Sequence, residues 1–169
     1  MKLPRFLAPA VLLAALAGGG LLAYQSLLQR ETAPALSYVL LDGAKVETRQ
    51  WQGKVMLVNF WATSCTTCVA EMPEIVATHQ KYKARGFDTL AVAMSYDPPA
   101  FVANFAQSRQ LPFGVAIDNT GEIAKQFGRV QLTPTTLLIN KRGEIVKRYV
   151  GAPDFAALHQ LVEQLLAEA

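Results

Sequence analysis

The sequence predicts an α/β sandwich built on a central mixed sheet flanked by helices, carried behind one apolar leader. Three observations predict it. β-prone runs alternate with segments of helical periodicity and then close in the order β-β-α. One run, Val55-Met56-Leu57-Val58-Asn59-Phe60, has a single polar residue, as a strand buried on both faces requires. Phe6 to Leu28 form a nearly continuous apolar stretch in which only Gln25 and Ser26 are clearly polar.

Residues 1–30 read as a membrane anchor. As a helix, Phe6 to Leu28 would span about 34 Å, enough for a hydrocarbon core of roughly 30 Å. Lys2 and Arg5 precede it, which favours a cytoplasmic N-terminus and places the remaining chain across the membrane. A cleaved signal peptide is the alternative: Ala15-Leu16-Ala17 resembles a cleavage site, although the apolar run continues past it. Both readings export residues 31–169 to a compartment that permits disulfides, the periplasm of a bacterium. The formal charge of +3 belongs to the leader. Lys2, Arg5 and Arg30 account for three of the sixteen Lys and Arg, leaving thirteen against thirteen Asp and Glu. A domain balanced in this way has no electrostatic footprint for nucleic acid.

In the domain, residues 30–35 form a linker. Leu36 to Leu41 form a strand, Asp42-Gly43 a turn, and Val46 to Thr48 a hairpin arm. After the central strand, a helical pattern runs to about Arg85. Its expected buried stripe is Val69, Met72, Val76 and His79, with Ile75 and Tyr82 beside it. Pro73 should kink this helix and Gly86 should end it. Thr89 to Met94 is the next strand, and a helix opens at Pro98 or Pro99 and ends before Pro112. Val115 to Ile117, Thr120 to Phe127, Thr135 to Ile139 and Ile145 to Val150 follow as strand, short helix and two strands. From Pro153, a last amphipathic helix presents Phe155, Leu158, Leu161, Val162 and Leu165.

The two cysteines, Cys65 and Cys68, stand three apart where the central strand hands over to its helix. Two cysteines make neither a disulfide framework nor a four-ligand zinc site. A bridge across two residues closes so short a loop that it adds little by chain entropy, which suits a bond that opens and closes. The thiolate is the attacking species in disulfide exchange, and a helix N-terminus stabilises it at Cys65. Cys68, one turn further in, is expected to resolve the mixed disulfide. Two unrelated buried cysteines, or half of a metal site, are the competing readings of such a pair.

Trp51-Gln52-Gly53-Lys54, Val58-Asn59-Phe60-Trp61-Ala62-Thr63-Ser64-Cys65, Glu71-Met72-Pro73 and Leu132-Thr133-Pro134-Thr135-Thr136-Leu137-Leu138-Ile139 together resemble the TlpA/ResA branch of the thioredoxin superfamily, over residues 36 to 167. The resemblance implies a thioredoxin fold with a central insertion and a monomer needing no cofactor. It also implies a periplasmic reductase of exported protein disulfides, fed with electrons by a membrane thiol transporter of the DsbD or CcdA kind. It implies a cis bond at Thr133-Pro134, with Thr133 offering backbone groups to a bound peptide, and Glu71 taking the proton of Cys68, where the residue alone reads as a solvated helix glutamate. Trp61 is expected as a platform for substrate beside the pair, or as a plain core aromatic. Asn59 stands where thioredoxin has a buried acid and cannot act as a base. Ser64 replaces the usual Trp and Thr66-Thr67 lack the usual Pro, which leaves open a disulfide-forming oxidant. A peroxiredoxin requires Thr or Ser three residues before its cysteine, and position 62 is Ala. A Cu(I)-binding metallochaperone is the non-enzymatic rival, because two thiolates suit that ion. His79 and His159 read as packing residues.

Overall fold

The computed structural model describes residues 31–168. The expected anchor at 1–30 lies outside the described residues, among which no helix is long and apolar enough to cross a membrane.

β1 (Ser37–Val39) and β2 (Lys45–Glu47) form the expected antiparallel hairpin, with Tyr38 opposite Val46. It is shorter than its apolar run because Leu40 N–H turns to the Ala44 carbonyl and Leu41 N–H reaches the Val115 carbonyl. The main sheet has the order β5-β4-β3-β6-β7. β3 (Val55–Trp61) lies at its centre with all seven residues buried, parallel to β4 (Phe87–Ala93) and antiparallel to β6 (Thr135–Ile139). β5 (Gly114–Ile117) extends one side in parallel, and β7 (Ile145–Val150) the other antiparallel. The sheet is therefore mixed, as expected.

Side chains alternate across β3. Val55, Leu57 and Trp61 pack with Met72, Ile75, Tyr82, Leu158 and Val162 from α1 (Thr66–Tyr82) and α4 (Phe155–Ala167), and with Val102 of α2 (Pro99–Ser108). Met56, Val58 and Phe60 pack with Tyr38, Trp51 and Phe127 on the opposite side, where α3 (Glu122–Gln126) lies. From β3 onward and without β5 and α3, the order is β-α-β-α-β-β-α, as the resemblance implies, with those two elements as the insertion.

The buried face of α1 differs from the expected stripe. Cys68, Glu71, Met72, Ile75, Thr78, His79 and Tyr82 are buried, whereas Val69 and Val76 are half-buried. The face is rotated toward Cys68 and Glu71, and there Glu71 meets a buried donor on β3. The α-helix continues through Pro73 and ends at Tyr82. A 3-10 turn over Lys83–Arg85 fills the last of the helical pattern, and Gly86, at φ 88°, terminates it in the left-handed region. Asp154 caps α4, its Oδ1 accepting from the N–H groups of Ala156 and Ala157.

Candidate active site

The site forms at the C-terminal ends of β3 and β4, where ligands gather in sheets with parallel strands. Met94 N–H donates to the Trp61 carbonyl at 3.0 Å and holds the two strand ends together. The chain then turns sharply, with Cys65 N–H on the Ala62 carbonyl at 3.1 Å. Cys65 has extended backbone angles and caps α1, its Sγ accepting from Cys68 N–H at 3.2 Å. The same N–H would stabilise a Cys65 thiolate, which is the physical content of a helix N-terminus lowering a thiol pKa. Cys65 and Cys68 are joined by a disulfide with their Cα atoms 5.2 Å apart. Cys65 is half-buried and Cys68 fully buried. An incoming group therefore meets Cys65 first.

Thr133-Pro134 has the expected cis peptide bond. Phe60 pairs with Thr135 across β3 and β6, so Pro134 continues the register beside Trp61, at the sheet end that carries the cysteines. The Thr133 hydroxyl contacts the Tyr96 hydroxyl at 3.1 Å, and Gly151 N–H holds the Pro134 carbonyl at 2.8 Å. Leu132 stands 65% exposed next to them.

Glu71 is 5% exposed. Asn59 Nδ2 donates to its Oε1 at 3.0 Å and to Thr136 Oγ1 at 2.9 Å. Burial pushes the Glu71 carboxyl up to about 7, against the Asn59 hydrogen bond, which lowers it. Its second oxygen, Oε2, and Asn59 Oδ1 are both buried without a hydrogen-bond partner among the described residues. Glu71 is thus an acid poised to change protonation near neutrality, three residues from Cys68 on the same helical face.

Trp61 corrects the substrate-platform expectation. It is fully buried, its ring centroid 5.0 Å from that of Phe105, in the cluster that contains Cys68. It offers no face to a docking chain and acts by packing. His79 and His159 are packing residues with hydroxyl partners: His79 Nδ1 meets Thr89 Oγ1 at 3.2 Å, and His159 Nε2 meets Thr78 Oγ1 at 2.9 Å. Desolvation is the largest influence on both imidazoles and lowers their pKa. Among the described residues, no group of three or more His, Cys, Asp and Glu side chains could hold a metal ion.

Asn59 and Thr136 carry more of the site than their sequence positions suggest. The signal for Asn59 was strand alternation, which puts it with Leu57 and Trp61 on the face toward α1. Thr136 gave no local signal, since it lies 77 residues away in sequence.

Residues 29–164 match the redoxin family model. The chain belongs to the redoxin family. A thiol-disulfide oxidoreductase ResA of Bacillus cereus is 33% identical over 98% of this chain and 99% of its own length. ResA of Halalkalibacterium halodurans is 33% identical over 84% of this chain and 81% of its own. Among solved structures, a Neisseria meningitidis protein assigned as a thioredoxin superposes with a TM-score of 0.78 at 42% identity, covering 83% of this chain and 93% of that one. A thiol:disulfide interchange protein of Chlorobium tepidum gives 0.75 at 26% identity, covering 82% and 98%. This redoxin has the thioredoxin fold, and its cysteine pair makes it a thiol–disulfide oxidoreductase.

Proposed function

We propose that the protein is a membrane-anchored reductase of disulfides in exported proteins, working from the periplasmic side of the inner membrane. The carrying observation is the Cys65–Cys68 disulfide at the start of α1, with Cys65 half-buried, Cys68 fully buried and Glu71 buried three residues further along the helix. In the proposed cycle the Cys65 thiolate attacks one sulfur of a substrate disulfide. A bond forms from Cys65 Sγ to that sulfur, the substrate S–S bond breaks, and one substrate thiolate leaves. Cys68 then loses its proton to the Glu71 carboxylate and attacks Cys65 Sγ. The Cys65–Cys68 disulfide forms, the second substrate thiolate leaves, and two electrons have passed to the substrate. Thr133 supplies backbone groups for the substrate chain beside Pro134.

The apolar run Phe6 to Leu28 behind Lys2 and Arg5 supports anchoring with the N-terminus inside. Re-reduction by a membrane thiol transporter of the DsbD or CcdA kind, and clients such as an apocytochrome c or the thiols of a copper site, fit this placement. The deciding experiment is the redox equilibrium of the full chain with glutathione, together with insulin reduction by dithiothreitol. A strongly negative potential with catalysed insulin reduction is expected. A value near the roughly −120 mV of DsbA would make the protein an oxidant instead.

A further inference from the structure

The turn that carries Cys65 is held by a residue outside the motif. Asp97 lies between β4 and α2 and is 2% exposed. Its Oδ2 accepts from Thr63 N–H and its Oδ1 from the Thr63 hydroxyl, both at 2.6 Å. The carboxylate thus grips both polar groups that Thr63 offers as donors. Asp97 is itself fixed: its N–H donates to the Met94 carbonyl at 2.9 Å, and Met94 N–H holds the end of β3. Its neighbour Tyr96 meets Thr133 on the far side of the site. One short segment therefore ties the Cys65 turn to the Pro134 loop.

Both contacts come from donors, so the ionised carboxylate fits them and a protonated one would waste a donor. Among the described residues, no Lys, Arg or His side chain pairs with Asp97. Thr63 itself carries no charge. The other acid near the pair, Glu71, lies on the α1 face toward Asn59. A negative charge is thereby held against Thr63, which stands two residues before Cys65 in the same turn.

We propose that Asp97 is a positioning residue for disulfide exchange: it pins the Thr63 end of the Cys65 turn, and its charge opposes the stabilisation of the Cys65 thiolate by the N-terminus of α1. This rests on the exchange chemistry and not on its direction. Where Cys65 is ionised, the couple is the disulfide plus two electrons and one proton in equilibrium with the Cys65 thiolate and the Cys68 thiol. A charge that disfavours that thiolate disfavours this reduced form, and so makes the pair a better reductant. That contribution offsets the helix N-terminus in a motif whose Ser64, Thr66 and Thr67 bring no charge of their own.

Asp97→Asn is the discriminating variant in the full chain. Its amide oxygen can still accept from Thr63 N–H, and its amide nitrogen can donate to the Thr63 hydroxyl, so the turn keeps its shape without the charge. The Cys65 thiol pKa, read by thiolate absorbance or pH-dependent alkylation, should fall by about one unit. The equilibrium with glutathione should move by up to about tenfold toward the oxidising side, about 30 mV. Thr63→Val removes one donor but leaves the charge less quenched, so the Cys65 pKa should shift in the opposite direction. A folded Asp97→Asn protein with unchanged Cys65 pKa and unchanged equilibrium would overturn the proposal. If Asp97→Asn does not fold, Thr63→Val decides it: a lowered or unmoved Cys65 pKa would overturn the proposal, and a raised one supports it.

Discussion

Replacing Glu71 by Gln isolates the stored electrostatic stress at the site. The carboxyl rises from an ordinary 4.5 to about 7 because burial on α1 outweighs the hydrogen bond from Asn59. The difference of about 2.5 units, at 1.36 kcal/mol each, is about 3 kcal/mol. Because the folded pKa is the raised one, the folded state holds the proton between pH 4.5 and about 7 while the unfolded chain releases it. Stability is therefore full below about pH 4.5 and is lost as pH rises through about 7. Gln keeps an oxygen to accept from Asn59 and never ionises, so it removes this loss. Denaturant unfolding of the oxidised protein is the assay, since oxidation removes both thiols from the titration. The unsubstituted protein should lose about 3 kcal/mol between pH 4 and pH 8.5 relative to Glu71→Gln. Parallel stability curves for the two proteins would refute a Glu71 titrating near neutrality. The same variant should resolve the mixed disulfide more slowly, because the proton of Cys68 then has no nearby acceptor.

Two further outcomes follow from the same geometry. Asn59→Ala removes the one interaction that lowers the Glu71 pKa, so an NMR titration of that carboxyl should move upward by about a unit from its value near 7. Trp61→Ala empties a fully buried site packed on Phe105 and should destabilise the fold by about 3–5 kcal/mol in thermal or denaturant unfolding. A stable Trp61→Ala protein with a raised KM alone would return Trp61 to substrate contact.

The sequence by itself determined the strand and helix order, the centrality of Val55–Trp61 and the place of the cysteine pair. Each of these is local: an apolar run, a periodicity, or a spacing of three along one chain segment. The cis bond at Thr133-Pro134 was legible only through the family resemblance, because proline alone predicts trans. Tertiary structure decided what surrounds the sulfurs. It turned α1 so that Cys68 and Glu71 face inward where Val69 and Val76 were expected, and it buried Trp61. It also brought Asn59 to Thr136 across 77 residues and Thr63 to Asp97 across 34. Those contacts join side chains from separate elements, and their strength comes from burial and from hydrogen bonds made inside the assembled fold. Neither property belongs to a residue until the sheet has assembled. The pair of cysteines is thus a local feature of the chain, whereas its protonation chemistry belongs to the fold.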